Sequence, residues 1–548
     1  MQRLSAFLLL FGALPLPVPR VQAQELLTPA SELASYVRLL ELQGKAKSTP
    51  LVYWSSSTVP RRHGLTVDSG HVWSRRYSLS ALSERPRRPE FRLLDTHVDV
   101  VFNSTFPRNA NDGALWAGRG VSGVLRGGAD LRWRGFTARV APTFGYAQNR
   151  EFRLGAGPGN LNTPFAYPWQ PGIDFPQRFG ASAITFADWG QSGVRFDAGS
   201  FTAGFSNESI WWGPGYRNAI VVGSGAPGFP HLDLGLGRPV HTPAGDLELR
   251  AIWGQLRRSS YFGASSTDGK RVFDGLTIGY RPRFLTGLTL GLTRVLYHEW
   301  PANGPRATDF LDAFGGIFNN GRQVEPNGPV INDQNDQLAS VTARWLLPES
   351  GAEFYLEYAR NDFAGSLTDL VLEPDHARAV TGGFQKTVPV STGALVLKGE
   401  YTTLGQTNTR QLRAGAPFYV HNIVSEGYTN RGQLLGATIG PGSNAQFLGL
   451  DRYTAAGRYG IFAERIRYDD DYAFAALRGR PDAHLYHQVD LTAGVSVLRF
   501  SGALDWGASL GMTRELNRYF IRDDNVTNWA LTLNLARRGK NLRSTPQQ

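Results

Sequence analysis

The chain carries little of the equipment that chemistry on a substrate requires. No Gly-x-Ser-x-Gly sits in a strand–turn–helix setting, as a nucleophilic serine would need. The ten histidines are scattered, and none recurs at the His-x-x-x-His spacing that aims two imidazoles at one zinc ion. Two acidic runs, Asn332-Asp-Gln-Asn-Asp336 and Asp469-Asp-Asp471, offer the oxygen ligands calcium takes. The Gly and bidentate Glu of a calcium loop are missing from both, so a solvated turn is the favoured reading, and neither cofactor nor metal is expected. What is plentiful is Trp, Tyr, Asn, Asp and Arg in segments that read as loops. Flat aromatic rings pack on the apolar faces of sugar rings, and the polar side chains hydrogen-bond hydroxyls and carboxylates. The residue types point to recognition of a saccharide rather than catalysis, although most such aromatics serve ordinary packing.

One stretch concentrates these features. Ser206-Asn-Glu-Ser-Ile-Trp-Trp-Gly-Pro-Gly-Tyr-Arg-Asn218 continues through Gly223-Ser-Gly-Ala-Pro-Gly-Phe-Pro230. Pro and Gly at this density break both helical and strand periods. Such a segment either folds into the interior of a larger structure or presents a binding surface. Dense Gly and Pro suit close packing, which favours an internal plug.

The elements that must position these residues are strands. Arg3, the apolar run Leu4–Leu14 and Val21-Gln22-Ala23 read as a secretory signal over 1–23, with Gln24 as the mature start. No later apolar run approaches the ~20 residues of a membrane helix, so an exported chain is either soluble or crosses a membrane as a barrel. The chain has no Cys, which argues against a small disulfide-stapled module. Its formal charge of +11 comes mostly from scattered Arg, which suits lipid phosphates or acidic polysaccharide better than nucleic acid.

Residues 24–90 read as a helical and irregular segment. A helix is expected from Ser31, its N-cap, to Gly44, with a second helix near Ser78–Glu84. From 91 to 538 the period becomes 2. His97–Asn103, Gly135–Ala141, Leu247–Gln255, Phe354–Tyr358, Leu395–Tyr401, Val489–Val497 and Trp529–Leu535 alternate apolar with polar or small residues. Roughly 16–20 such runs, with aromatics near their ends, form the pattern of a large antiparallel transmembrane β-barrel. A soluble propeller is the alternative, but no blade-length repeat is present. Long loops are expected at 205–231, 301–337, 361–378 and 404–450, and a polar tail at 539–548.

Trp211-Trp-Gly-Pro-Gly215, Asn218 and Ala226-Pro-Gly-Phe-Pro230 resemble the signature of the capsule assembly Wzi family. Asn111–Gly120, Ile173–Gly180, Asn335–Ser340, Phe418–His421, Gly427–Gly436, Gly440–Ser443 and Arg467–Asp471 are similar to the same family and follow in order. The resemblance implies an all-β outer-membrane barrel of about 18 strands with periplasmic N-terminal helices. It implies a non-enzymatic, lectin-like role in holding capsular or exopolysaccharide at the cell surface. Family-motif residues are Trp211, Trp212, Gly213, Pro214, Gly215, Asn218, Pro227, Gly228 and Pro230. Trp116, Arg119, Tyr419, His421, Tyr428 and Arg431 are the candidate polysaccharide contacts. Surface polysaccharide and outer-membrane lipid are the expected partners, and the barrel is expected to be monomeric. A porin and an outer-membrane hydrolase are the alternatives.

Overall fold

A computed structural model describes residues 28–29, 31–46, 52–57, 70–74, 76–77, 86–108, 110–156, 163–262, 269–301, 303–304, 313–315, 335–361, 367–413 and 415–538. The signal segment, the expected second helix and most of the 332–336 acidic run lie outside these residues.

The alternating runs pair into one closed antiparallel barrel. In chain order its strands are β1 (Glu90–Asn103), β2 (Gly120–Trp133), β3 (Phe136–Val140, continued by Thr143–Ala147), β4 (Ile184–Asp188, continued by Gly193–Ala198), β5 (Phe201–Ser206) and β6 (His231–Leu236, continued by Val240–Thr242). There follow β7 (Gly245–Arg257), β8 (Lys270–Pro282), β9 (Leu288–Glu299), β10 (Asn335–Leu347), β11 (Ala352–Asn361) and β12 (Arg378–Val390). The last are β13 (Gly393–Thr403), β14 (Asn444–Thr454), β15 (Gly457–Arg467), β16 (Val489–Ser501), β17 (Leu504–Leu516) and β18 (Val526–Arg537). β1 closes on β18, from Thr96 opposite Arg537 to Asn103 opposite Ala530. Closure removes the unpaired strand edges that hydrocarbon cannot satisfy. Among the described residues no helix is long and apolar enough to cross a membrane.

The period-2 pattern sorts side chains by face. Val98, Leu125, Leu292, Val341, Leu356, Leu448, Val495 and Leu533 are exposed on the outside, whereas Asp130, Arg250, Thr277, Glu357, Lys398 and Glu464 are buried within. The two faces are kept even where the phase along the sequence shifts. A bulge between Leu94 and His97 moves the outward set of β1 from Phe91 and Leu93 to Val98 and Phe102.

Eight connections of two to five residues lie at one end and nine of 9–40 residues at the other. The expected loop over 404–450 ends sooner, because Asn444–Thr454 pairs with both β13 and β15. Its alternation is masked by inward-facing Phe447, whose ring lies 6.1 Å from that of Tyr216 inside the lumen.

The short-turn end is filled by α1 (Glu32–Leu42). Ser31 Oγ accepts from Ala34 N at 3.1 Å, and Gly44 beyond its end takes φ 65°, matching the stop and start signals in the sequence. Ion pairs tie the helix to the wall: Arg38 Nε to Glu353 Oε1 at 2.5 Å, and Arg344 Nη2 to Glu41 Oε2 at 2.7 Å. Tyr36 stacks on Trp73 at 4.1 Å, and Trp73 Nε1 donates to Thr454 O at 2.8 Å in the β14–β15 turn.

Candidate functional site

The Trp-Trp-Gly-Pro segment turns inward. Ile210–Trp212 forms a two-stranded ribbon with Tyr53–Ser55, setting Trp211 opposite Trp54 and Trp212 opposite Tyr53. Trp212 is fully buried, and its ring lies 6.2 Å from Phe273 of β8. Ile220, Val221, Val222, Phe229, Leu434 and Leu435 join it in one apolar cluster with inward residues of β7–β12. Two glycines show why the motif needs them. Gly213 has φ 91° and faces the Glu357 carboxylate, and a Cβ on Gly228 would meet Asn207 O at 1.9 Å.

An irregular segment inside a barrel must pair its backbone amides with the wall. Glu400 of β13 accepts from Tyr216 N at 2.6 Å, Arg217 N at 3.0 Å and Asn218 N at 2.8 Å, and from Tyr355 Oη at 2.9 Å. Glu357 accepts from Ile220 N at 3.0 Å. Pro214 O accepts from Arg38 of α1 at 2.9 Å. Pro227 O accepts from Asn430 Nδ2 at 3.1 Å, and Pro230 O from Gln255 N at 3.1 Å. The segment is therefore a plug stitched to the wall, to α1 and to the 404–443 loop.

Above the plug the long loops enclose a cavity of about 270 Å³. Its walls include Trp116, Phe152, Tyr167, Trp169, Phe175 and Tyr519. Trp169, half-buried, packs on Tyr472 at 4.7 Å and Phe520 at 5.1 Å. Tyr519 and Phe520 both sit at left-handed φ, 58° and 59°. That conformation costs bulky residues about 1–2 kcal/mol each. Neighbouring bonds hold it in place: Asn517 donates to Leu485 O and His487 O at 3.0 Å, and Arg518 N donates to Asp524 O at 2.8 Å. Strain held in this way clusters at functional sites.

The floor is charged. Arg108 pairs with Glu464 at 2.7 Å and Asp490 at 3.1 Å, and Arg217 pairs with Glu464 at 2.9 Å. Arg518 stands 5.0 Å over the Phe106 ring and 3.6 Å from the Glu515 carboxylate.

The acidic run at 469–471 is corrected by the structure. It is not a solvated turn, because Asp469 and Asp471 are both buried. Asp469 N-caps α2 (Asp470–Leu477) by accepting from Tyr472 N at 3.0 Å, and it accepts from Tyr167 Oη at 2.7 Å. Asp471 accepts from Gln406 N at 3.0 Å and pairs with Arg410 at 2.9 Å. Burial pushes the Asp469 carboxyl up to about 7 and that of Asp471 up to about 6, against the lowering hydrogen bonds they accept. Among the described residues no group of three or more His, Cys, Asp or Glu is placed to hold a metal ion.

Of the six residues singled out as sugar contacts, Trp116 lines the cavity. Tyr419 and Tyr428 do not reach solvent. They are fully buried, stacked at 5.8 Å, and Tyr419 Oη bridges Ile220 O and Ala437 N inside the plug. His421 Nδ1 accepts from Val424 N at 2.9 Å in a loop turn. Arg119 donates to Ser104 O at 3.1 Å, and Arg431 pairs with Asp188 at 2.9 Å. Sequence reasoning missed Arg108, Trp169, Glu464, Asp490, Glu515, Arg518 and Tyr519. One signal was present: Glu464, Asp490 and Glu515 are charged residues in the inward phase of three consecutive strands near their loop ends.

An eighteen-stranded antiparallel barrel, apolar outside, with the motif segment packed in its lumen and long loops at one end, defines the class: a transmembrane β-barrel of the outer-membrane kind. The capsule assembly protein Wzi model matches residues 110–458, and the chain belongs to that family. Among solved structures it is similar to the Escherichia coli outer-membrane protein Wzi, involved in group 1 capsule assembly and described as a carbohydrate-binding β-barrel. That likeness has a TM-score of 0.61 at 14% identity and covers 93% of this chain and 99% of that one. Pseudomonas aeruginosa OprD is more distant, with a TM-score of 0.37 at 9% identity over 81% of this chain and 92% of that one. No curated protein matches the sequence. The chain is an outer-membrane barrel, with short turns on the periplasmic side and long loops outside.

Proposed function

We propose that this protein binds capsular or exopolysaccharide at the outer face of the cell and holds it there, without enzymatic activity. The observation that carries this reading is the loop-end cavity, with aromatic walls and an ion-paired floor, over a lumen packed by the motif segment. Stacking rings and polar groups at fixed positions are what a saccharide site requires. The family membership and the carbohydrate-binding relative support it. In this reading residues 1–23 direct export, 24–90 form the helical and irregular periplasmic segment, and the apolar belt contacts lipid as a monomer. The packed plug counts against the porin reading, which requires an open path.

The test is surface polymer in a strain lacking the gene, alongside binding of the purified full chain to that polymer. Unchanged total polymer, a shift from cell-bound to released, and direct binding are the expected results. Unchanged retention with reduced uptake of a solute would mean that the barrel is a pore.

A further inference from the structure

The floor of the cavity has an arrangement that ion pairing alone does not account for. Asp490 of β16 and Glu515 of β17 are cross-strand partners, so two carboxylates face each other directly. Like charges opposed in this way destabilise a sheet. Both residues are nearly inaccessible, at 2% and 4% exposure, as is Arg518 at 5%.

Their hydrogen bonds are only partly used. Asp490 Oδ2 accepts from Tyr468 Oη at 2.9 Å and Arg108 Nη1 at 3.1 Å, and Glu515 Oε1 accepts from Gln488 Nε2 at 2.6 Å. Asp490 Oδ1, Glu515 Oε2 and Arg518 Nε are buried without a hydrogen-bond partner. Buried polar atoms are normally paired; Glu515 Oε2 and Arg518 Nε have only each other, at 3.6 Å, and Asp490 Oδ1 has no hydrogen-bond partner, so these atoms, on residues lining one cavity, ask for a ligand. Two of the three accept and one donates. The floor therefore calls for a ligand that brings donors. Arg108 and Arg217 are already bound to Glu464 and Asp490, and Arg518 faces Glu515 at 3.6 Å and donates to Tyr519 Oη at 3.0 Å, so each guanidinium on the floor already has a partner before a carboxylate arrives.

We propose that this cavity takes a neutral, hydroxyl-bearing sugar unit of the polymer and rejects a uronic acid at the same place. The hydroxyls donate to Asp490 Oδ1 and Glu515 Oε2, one ring oxygen or hydroxyl accepts from Arg518 Nε, and the ring lies against the Trp169 and Tyr519 side of the wall. The small volume, about 270 Å³, suits a chain end or a side branch rather than a threaded backbone, so any acidic unit of the polymer lies outside the cavity. This assignment rests on the polysaccharide reading above and specifies its ligand.

The experiment uses the detergent-solubilised full chain and follows Trp fluorescence during titration with methyl glycosides of neutral hexoses and deoxyhexoses, and with methyl glycosides of glucuronic and galacturonic acid. At least one neutral glycoside binds, and each uronate binds at least about tenfold more weakly at neutral pH, a difference of about 1.4 kcal/mol. In Asp490→Asn the gap narrows, because one repelling carboxylate is gone. A folded barrel in each sample is confirmed by its heat-dependent gel migration. Uronates that bind the unmodified protein as well as neutral glycosides do would overturn the assignment. Failure of the intact polymer to bind at all would sink the function reading itself, so the two failures are distinguishable.

Discussion

Glu400→Gln tests whether the plug is held from the wall. The carboxylate accepts from three consecutive backbone amides, Tyr216, Arg217 and Asn218, and from Tyr355 Oη, in a fully enclosed place. Gln keeps one oxygen but turns the other side into a donor facing donors. Each buried donor left unmade costs about 1–3 kcal/mol. With one acceptor retained, the loss for this turn is about 3 kcal/mol. At 1.4 kcal/mol per decade, that multiplies local opening about a hundredfold. Amide hydrogen exchange, read by mass spectrometry on peptides covering 214–222, should show protection falling by that factor. Peptides from β16 and β17 should be unchanged. Equal protection in variant and parent would refute the claim that Glu400 holds the plug.

Other outcomes follow from the same contacts. Arg38→Ala leaves Glu353 with Arg344 alone and frees Pro214 O, so the N-terminal segment should become protease-sensitive, with a loss of about 1–3 kcal/mol. Gly228→Ala places a Cβ 1.9 Å from Asn207 O, and the fraction of heat-modifiable barrel recovered from the outer membrane should fall sharply. Asp469, held at about 7 against an ordinary 3.8, binds its proton more tightly folded than unfolded. Its contribution is fully present below about pH 4, falls progressively as pH rises and is lost once pH passes about 7. Exchange protection at the start of α2 should be higher at pH 5.5 than at pH 8, and Asp469→Asn should reduce that slope to the part Asp471 contributes.

The barrel was legible in the sequence because period-2 alternation is a one-dimensional record of which face meets lipid. Leu247 and Leu249 against Glu248 and Arg250 already gave the two sides of β7. The helix at Ser31–Gly44 was legible from its cap and stop. The inward fate of Trp211–Pro230 followed from Gly and Pro density. The cavity was not legible, because it depends on register and on loops meeting across the lumen. Asp490 opposes Glu515 only through the β16–β17 pairing, and Trp169 reaches Phe520 across some 350 residues of chain. Tyr419 and Tyr428 misled because a buried aromatic and a sugar-stacking one read alike in sequence. Burial against Ile220 and Ala437 separates them.

The central claim, that the loop-end cavity holds the polymer, is tested most directly by complementing the deletion strain with Trp169→Ala or Tyr519→Ala. Neither residue takes part in strand pairing, and Tyr519→Ala also spares the apolar cluster of the plug, against which Trp169 packs. The account predicts normal levels of folded barrel and of total polymer, with polymer moving from the cell surface into the medium as it does without the gene. Full retention by both variants would contradict it.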